Sequence, residues 1–277
     1  MDTKNTKIAF IGAGNMAASL IGGLIQDGFP ASQIMISDPD PKQRERILAN
    51  YPVHSTQDNS VSVEFADAVV FCVKPQVMKQ VVTGIADAAA QAQPLFLSIA
   101  AGIRIDAIRR WLGGQPVIVR AMPNTPAMVQ SGAAALYANA HASEEQKEIA
   151  ESILRAVGLA LWVDEESQLD TVTALSGSGP AYLFLLMEAL QQAAVKLGLP
   201  EQTASLLTVQ TAFGAAKIAL ESHETPAQLR QRVTSPGGTT ESALAVLAEG
   251  KINELIERAV AAAERRAREL AEQMGAE

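Results

Sequence analysis

The sequence predicts an α/β fold in which an N-terminal parallel sheet is followed by an all-helical C-terminal domain. Three observations support this. Short apolar segments alternate with helical segments up to about residue 163, as expected for strands joined by helical crossovers. A glycine-rich turn, residues 12–17, follows the first apolar segment. After about Asp164 no convincing strand pattern occurs. We therefore expect one domain at 1–164 and a second at 165–277.

The strands of the first domain are predicted from solidly apolar segments that end at turn residues. Such segments, without polar alternation, are typical of strands buried on both faces of a parallel sheet. Asp38-Pro39, Lys74-Pro75 and Ala100-Ala101-Gly102 mark three of the ends. We expect strands at 7–11, 33–37, 68–73, 95–99 and 117–120, with edge strands at 133–137 and 160–163. Helices are expected at 16–26, 41–50, 76–89, 105–112 and 144–157.

The second domain consists of helical segments separated by glycine and proline. The segments Ser176-Gly177-Ser178-Gly179-Pro180 and Gly198-Leu199-Pro200, together with residues 235–238, interrupt the helical pattern. In the first of these, Ser178 is suited to cap a helix that has Pro180 in its first turn. The predicted helices are 168–175, 181–197, 201–221, 225–233, 240–249 and 251–273.

Composition restricts the classes of function. Hydrophobic residues make up 48% and charged residues 19% of the 277 residues, which is typical of a globular protein. The net charge of −8 argues against nucleic acid or a membrane surface as the main partner. Cys72 is the single cysteine and the three histidines are scattered, so neither a disulfide framework nor a metal site is expected. The first residues lack the apolar core of a signal peptide, which predicts a cytoplasmic protein.

The glycine-rich turn has the G-x-G-x-x-A spacing of a dinucleotide-binding site. Gly12 permits the tight turn, Gly14 lets the backbone approach a pyrophosphate, and Ala17 lets the helix pack closely on the strand. The helix that follows supplies free N–H groups and a positive partial charge. The turn follows an apolar strand and opens a helix, so the sequence predicts a Rossmann-type nucleotide site here.

The choice between NAD and NADP is left open by the residues after the second strand. Asp38 lies where an acidic side chain commonly holds the ribose 2′-hydroxyl of NAD, and its charge would repel a 2′-phosphate. Asp38 is also suited to an Asp-Pro turn. Ser37, Lys42, Arg44 and Asn59 are near enough in sequence to help bind a 2′-phosphate.

Further strand ends are candidates for the nicotinamide half of the site. In open α/β sheets the ligand lies beyond the carboxyl ends of the strands. Val73-Lys74-Pro75, Ala100-Ala101-Gly102 and Asn124, within Met122-Pro123-Asn124-Thr125-Pro126, follow three predicted strands. Lys74 is equally consistent with a surface lysine that ends a strand.

A second anion site is predicted near the other end of the chain. The loop Ser235-Pro236-Gly237-Gly238-Thr239-Thr240 offers three hydroxyl groups and bare backbone N–H groups, and it runs directly into a helical segment. Such a loop is suited to a small anion. A nucleotide site and a small-anion site together predict a redox enzyme that acts on a small carboxylate.

With these motifs, the chain resembles the pyrroline-5-carboxylate reductases over its length from Ile8 to the final helix. The resemblance implies a Rossmann domain and a helical domain through which two subunits interlock, often assembling further into decamers. It implies hydride transfer from NADPH or NADH to a cyclic imine, which gives L-proline. The matching segments are Phe10-Ile11-Gly12-Ala13-Gly14-Asn15-Met16, Val73-Lys74-Pro75, Ala100-Ala101-Gly102, Met122-Pro123-Asn124-Thr125-Pro126, residues 175–182 and residues 233–240.

The resemblance also assigns roles within these segments. Asn15 and Met16 belong to the cofactor turn, the loop 235–239 binds the substrate carboxylate, and Thr240 places a hydroxyl at the imine nitrogen. NADPH is the expected cofactor, and NADH remains open because of Asp38. The sequence does not separate five-membered from six-membered cyclic imino acids, whose difference of one methylene is worth only about 1–3 kcal/mol.

Two other classes of function fit parts of the sequence. A β-hydroxyacid dehydrogenase would share a Rossmann domain and a helical domain, but its catalytic lysine is missing from Gly179-Pro180-Ala181-Tyr182-Leu183-Phe184-Leu185. A protein that binds NAD(P) without turnover would also keep the fold. The intact loop 235–240 argues against that class.

Overall fold

The computed structural model describes residues 6–276, which form two compact units. The first unit comprises the described residues up to Ser178 together with the end of the last helix, from Ala263. The second comprises Gly179–Ala262. These units differ from the expected division at 164/165, because residues 165–178 and the final helical turns group with the sheet. Across residues 6–276, no helix has the length and apolar character needed to cross a membrane.

Eight strands form one sheet within the described residues of the first unit. Its order is β3-β2-β1-β4-β5-β6-β7-β8, and every neighbouring pair is parallel except β6 and β7. The sheet is therefore mainly parallel, as predicted. The strands are β1 (Ile8–Ile11), β2 (Ile34–Ser37), β3 (His54–Thr56), β4 (Ala68–Phe71), β5 (Leu95–Ser98), β6 (Val117–Met122), β7 (Gly132–Ala138) and β8 (Gly158–Trp162).

Helices cover both faces of the sheet and explain its solidly apolar strands. Alternate residues of β1 enter two separate hydrophobic cores: Phe10 packs with α1 and α7, and Ile11 packs with α3, α4 and α6. Every residue of β1, β4 and β5 is buried. The helices are α1 (Asn15–Gln26), α2 (Pro41–Leu48), α3 (Asn59–Phe65), α4 (Pro75–Gly84), α5 (Ala86–Ala92), α6 (Ile105–Leu112), α7 (Glu144–Arg155) and α8 (Gln168–Val172).

Three local differences from the sequence prediction concern polar or interrupted segments. Strand β3 and helix α3 were not predicted, because His54–Thr56 is an exposed, polar edge strand without an apolar pattern. The single helix expected at 76–89 is two helices, with Ile85 between them as the C-cap of α4 and N-cap of α5. The helix expected at 168–175 changes after Val172 into a π-helical turn at Thr173–Gly177.

The second unit contains helices that leave much apolar surface exposed. Two of them, α9 (Gly179–Lys196) and α10 (Glu201–Glu221), pack together and are joined by a short turn. They are followed by α11 (Pro226–Arg232), α12 (Thr239–Glu249) and α13 (Ile252–Ala276), whose end returns to the first unit. Phe184 and Phe213 remain 64% and 60% exposed. Helices with exposed apolar faces of this kind need a further partner to bury them.

A close contact between α1 and the end of α7 provides a test of the packing. A Cβ atom at Gly23 would lie 2.3 Å from the backbone oxygen of Ala156, which cannot move like a flexible side chain. We expect Gly23→Ala to destabilise the protein by about 1–3 kcal/mol through overpacking. Thermal and denaturant unfolding measure this loss.

The control is Gly84→Ala, at the end of α4. A Cβ atom there meets nothing within 4 Å. The free energy of unfolding should stay unchanged or rise by up to about 1 kcal/mol, because alanine restricts the unfolded chain. Equal effects of the two substitutions would contradict the close contact at Gly23.

Candidate functional site

A cavity of about 1230 Å³ lies at the carboxyl ends of β1, β2 and β4. The register of the sheet places Ile11 beside Ser37 on one side and Phe71 on the other, so the loops after these strands meet at one edge. Of the residues predicted to bind the cofactor, the cavity is lined by Gly12, Gly14, Asn15, Asp38, Asn59, Val73 and Lys74.

The glycine turn has the geometry that its spacing predicts. Gly12 has a φ of +97°, and a Cβ atom there would lie 2.7 Å from the backbone oxygen of Cys72. Gly14 has nothing within 4 Å of its Cβ position, so its outer side is open to a ligand. Helix α1 begins at the next residue and has no side-chain cap, which leaves its first N–H groups directed at the cavity edge.

The carboxylate of Asp38 is held by backbone N–H groups. Its Oδ2 accepts from Ala13 N at 2.8 Å and its Oδ1 accepts from Asp40 N at 2.9 Å. Asp38 thus ties the end of β2 to the glycine turn, and it also has the turn role expected of an Asp-Pro pair. Each oxygen accepts one hydrogen bond and keeps a further lone pair, so the carboxylate can hold the turn and still accept from a ribose hydroxyl.

Arg46 is a site residue that the sequence analysis missed. Its Nη1 donates to Asn15 Oδ1 at 2.7 Å and its Nη2 donates to the backbone oxygen of Ala13 at 2.9 Å. A cation therefore lies directly on the glycine turn, although 31 residues separate Arg46 from Asn15. Arg44, which was predicted, donates to the backbone oxygen of Asp38 at 2.5 Å. No local signal distinguishes Arg46 from its charged neighbours on α2.

The loop before α3 completes this side of the cavity. Asp58 caps the helix by accepting from Ser60 N at 2.9 Å. Asn59 follows, and its Oδ1 accepts from the buried Ser37 hydroxyl at 2.5 Å. Residues 57–60 all line the cavity, but only Asn59 was predicted. The capping pattern at Asp58 is the signal that identifies the start of this helix.

Cys72 lines the cavity but is not suited to nucleophilic chemistry. Desolvation by burial raises the pKa of its thiol well above the ordinary value. The thiol is therefore protonated at neutral pH, and the thiolate is the reactive form. Its backbone carbonyl matters more, because it faces Gly12 and permits only glycine there.

The remaining predicted cofactor residues lie outside the lining of this cavity. Met16 packs partly against the core, and Pro75 is the first residue of α4. Ala100 is buried, and Ala101 and Gly102 are half-buried. Gly102, with a φ of +75°, faces α13: its Cβ position lies 3.5 Å from Met274 Sδ and 3.6 Å from Ala271 N.

Both polar atoms of the Asn124 side chain form hydrogen bonds to backbone groups. Its Oδ1 accepts from Ala133 N at 2.9 Å, and its Nδ2 donates to the backbone oxygen of Ser176 at 3.1 Å. It therefore joins the loop after β6 to the π-helical turn. The buried hydroxyl of Ser176 has no hydrogen-bond partner within the described part of the chain. Single π turns of this kind occur frequently at functional sites.

The loop 235–240, predicted to bind an anion, lies at the start of α12. Gly237 has a φ of +71°, Gly238 N donates to the backbone oxygen of Ser235 at 3.0 Å, and Gly238 leaves α12 without a side-chain cap. Ser235, Pro236 and Thr239 are exposed, and Thr240 is half-buried in the first turn of the helix.

Glu241 already occupies one donor of this loop, which the sequence analysis did not foresee. Its Oε2 accepts from Gly237 N at 2.7 Å. A carboxylate from the chain thus binds where a carboxylate ligand was predicted, so the loop has the donor geometry for such a group. For metals, residues 6–276 contain no cluster of three or more His, Cys, Asp or Glu side chains.

Two family models match separate parts of the chain. Residues 166–270 match the model described as pyrroline-5-carboxylate reductase dimerisation. Residues 7–102 match the model described as NADP oxidoreductase, coenzyme F420-dependent.

Two relatives that align over nearly the whole chain are both pyrroline-5-carboxylate reductases. The chain is 54% identical over 269 residues to a pyrroline-5-carboxylate reductase of Pseudomonas aeruginosa, covering 97% of this chain and 98% of that protein. It is 42% identical to one of Haemophilus influenzae, covering 95% and 97%.

Solved structures agree with these relatives. A pyrroline-5-carboxylate reductase of Coxiella burnetii has a TM-score of 0.93 at 48% identity, covering 96% of this chain and 98% of that chain. A Plasmodium falciparum pyrroline carboxylate reductase with NADP bound has a TM-score of 0.85 at 28% identity, covering 97% and 99%.

Proposed function

The chain belongs to the pyrroline-5-carboxylate reductase family, and we propose that it reduces L-1-pyrroline-5-carboxylate to L-proline with NADPH. This is the final step of proline biosynthesis. The observation that carries the proposal is the pairing of two sites: an open glycine turn beside a large cavity, and a separate loop that binds a carboxylate. These are the two sites that a reductase of a small imino acid needs.

The cavity suits a dinucleotide in shape and charge. The open side of Gly14 and the uncapped start of α1 form a cradle for the pyrophosphate, with Gly12, Asn15 and the backbone of Met16. Arg46 and Asn59 line the cavity and supply a cation and a hydrogen-bonding group for a 2′-phosphate, which favours NADPH over NADH. Ser37 and Arg44 support this side through their hydrogen bonds to Asn59 and to the backbone of Asp38. Asp38, held by Ala13 N, acts mainly as a tie for the turn.

We assign the nicotinamide half to the loops after β4, β5 and β6. These contribute Val73, Lys74, Pro75, Ala100, Ala101, Gly102 and Asn124. NADPH supplies the hydride that the imine carbon accepts. The side chain of Asn124 is committed to Ala133 and Ser176, so its part is to hold its loop in place. Orientation by the surrounding backbone is the main contribution of these residues.

The substrate carboxylate is assigned to the loop 235–239 and the imine nitrogen to Thr240. Ser235 offers a hydroxyl, Gly237 and Gly238 offer backbone N–H groups, and Pro236 and Thr239 shape the loop. A cyclic imine is basic enough to take its proton from solvent, and the iminium then accepts hydride readily. The Thr240 hydroxyl accepts from the iminium N–H and orients it; for an imine that binds unprotonated, it donates the proton to the nitrogen in the transition state instead.

We further propose that the protein is a homodimer in the cytoplasm. The family model matched by residues 166–270 is a dimerisation model, and the second unit exposes large apolar side chains such as Leu183, Phe184 and Phe213. Two copies that cover these helices would bury this surface. We also propose that these dimers can assemble further, up to a decamer. A single cysteine, Cys72, fits a reducing compartment.

The test is absorbance of the reduced nicotinamide with purified protein, DL-pyrroline-5-carboxylate and either NADPH or NADH. We expect rapid oxidation, faster with NADPH. Binding of NADPH without oxidation would refute the reductase and favour a binding protein. Turnover of the six-membered piperideine-2-carboxylate at an equal kcat/KM would refute the choice of substrate. Sedimentation of the same sample tests the dimer.

We expect Thr240→Ala to lower kcat by about 10²-fold or less, the range for one acid–base contact. The hydroxyl orients the nitrogen, but the iminium needs no strong acid. Thr240→Ser keeps a hydroxyl at the same position and should retain most of the activity. Steady-state kinetics measure both variants, and a far larger loss in Thr240→Ala would mean that Thr240 does more than orient.

We expect Glu241→Gln to lower the KM for pyrroline-5-carboxylate by about two- to fivefold, because glutamine keeps an acceptor for Gly237 N but loses the charge that strengthens this hydrogen bond. The carboxylate of Glu241 competes with the substrate for Gly237 N and repels its charge. Glu249→Gln, at the other end of the same helix, removes an equal charge and is the control. A KM that is unchanged or higher in Glu241→Gln would contradict this competition.

A further inference from the structure

One segment joins the loops at the carboxyl ends of β5 and β6. This segment, residues 166–176, is here called the brace; it contains Glu166, helix α8 and most of the π-helical turn. It lies in the same compact unit as the sheet, and α8 contacts β6 and β7. The carboxylates of Glu166 and Asp170 make three of its hydrogen bonds to the rest of this unit.

Glu166 makes two of these ties with a single oxygen. Its Oε1 accepts from Ile105 N at 2.8 Å and from Arg120 Nη1 at 2.8 Å. Arg120 is a residue of β6 whose side chain is only 4% exposed. A guanidinium buried to this degree requires a charged partner, so Glu166 and Arg120 depend on each other.

Two further ties extend the brace. Asp170, 3% exposed, accepts from Arg104 Nη2 at 2.7 Å. At the other end of the brace, the backbone oxygen of Ser176 accepts from Asn124 Nδ2. The loop after β5 and the loop after β6 are therefore both fixed to the same eleven-residue segment, 166–176.

The tie to Ile105 acts on the loop 99–104. Ile105 is the first residue of α6, and the N-cap residue Arg104 provides no side-chain cap. Glu166, 61 residues further along the chain, therefore supplies the hydrogen-bond acceptor and the negative charge that favour the start of this helix. On its other side, Gly102 lies against α13. The segment that follows Ala100 and Ala101 is therefore held at Gly102 by α13 and at Ile105 by Glu166.

We propose that Glu166 is a positioning residue for hydride transfer. It fixes the loop Ala100–Gly102 through Ile105 and fixes the end of β6 through Arg120, and so sets where the nicotinamide ring rests. The inference depends on the proposed function, which assigns these loops to the nicotinamide half. Displacement of a reacting group by about 1 Å is enough to slow a reaction about 10²-fold.

The experiment compares Glu166→Ala and Glu166→Gln with the wild type in single-turnover kinetics. NADPH and its analogue deuterated at the transferred hydrogen are each mixed with enzyme and saturating pyrroline-5-carboxylate, and the oxidation rate is followed. Glutamine keeps an oxygen for Ile105 N but loses the charge that faces Arg120. Glu165→Ala is the matched control, because Glu165 is the exposed neighbour whose carboxylate accepts from Ser167.

We expect hydride transfer to slow by about 10- to 100-fold in Glu166→Ala and by less in Glu166→Gln. The deuterium effect should show that the slowed step is the transfer itself, while the KM for the imine changes by less than about threefold. Glu165→Ala should match the wild type. A purely structural role would lower the melting temperature and the fraction of folded enzyme, but not the transfer rate per bound NADPH.

An unchanged transfer rate in folded Glu166→Ala would overturn the inference. If that variant does not fold, Glu166→Gln decides in the same way: a slower transfer step supports the inference and an equal one overturns it. Failure of the wild type to oxidise NADPH would refute the proposed function instead. Because the wild type is measured in the same series, the two failures are distinguishable.

Discussion

The parallel alignment of the central strands is the constraint on which the site depends. Strands β1, β2, β4, β5 and β6 run in one direction and in matched register, so their carboxyl ends reach one edge of the sheet. Burial on both faces fixes this register, because a slip of one residue would exchange the side chains of the two cores. The glycine turn, the cavity and the loops assigned to the nicotinamide all follow from that alignment.

Ionic and polar contacts then fix the positions of the loops that the sheet brings together at this edge. At the glycine turn, Asp38 and Arg46 hold Ala13 through its N–H and its carbonyl group. At the neighbouring strand ends, Glu166 and Asp170 hold Ile105, Arg120 and Arg104. The proposed phosphate side and the proposed nicotinamide side are therefore held in the same way: charged side chains bind backbone groups and each other at the ends of strands. Contacts of this kind specify position more than they add stability.

The second unit differs from the first because it buries little apolar surface of its own. Its helices bury few of their own apolar side chains, and the conformation of its loop 235–240 depends on the start of α12 and on Gly237. Such a unit completes its core through association, which agrees with the dimerisation model matched by residues 166–270. The hydrogen bond from Gly237 N to Glu241 shows that the loop can accommodate a carboxylate oxygen.

The fold class, the glycine turn and the glycine-containing loop 235–240 could be predicted from the sequence, because each depends on residues adjacent in the chain. Apolar runs predict buried strands, Gly12 and Gly14 predict the turn, and 235–240 predicts a loop rich in donors. Strand β3 was missed because an exposed edge strand needs no apolar pattern. Arg46 on the glycine turn, Asp38 as a tie to Ala13, and the brace around Glu166 were decided only by the tertiary structure. These contacts join residues 25 to 66 positions apart, and a charged side chain carries no local signal of the partner that folding will bring to it.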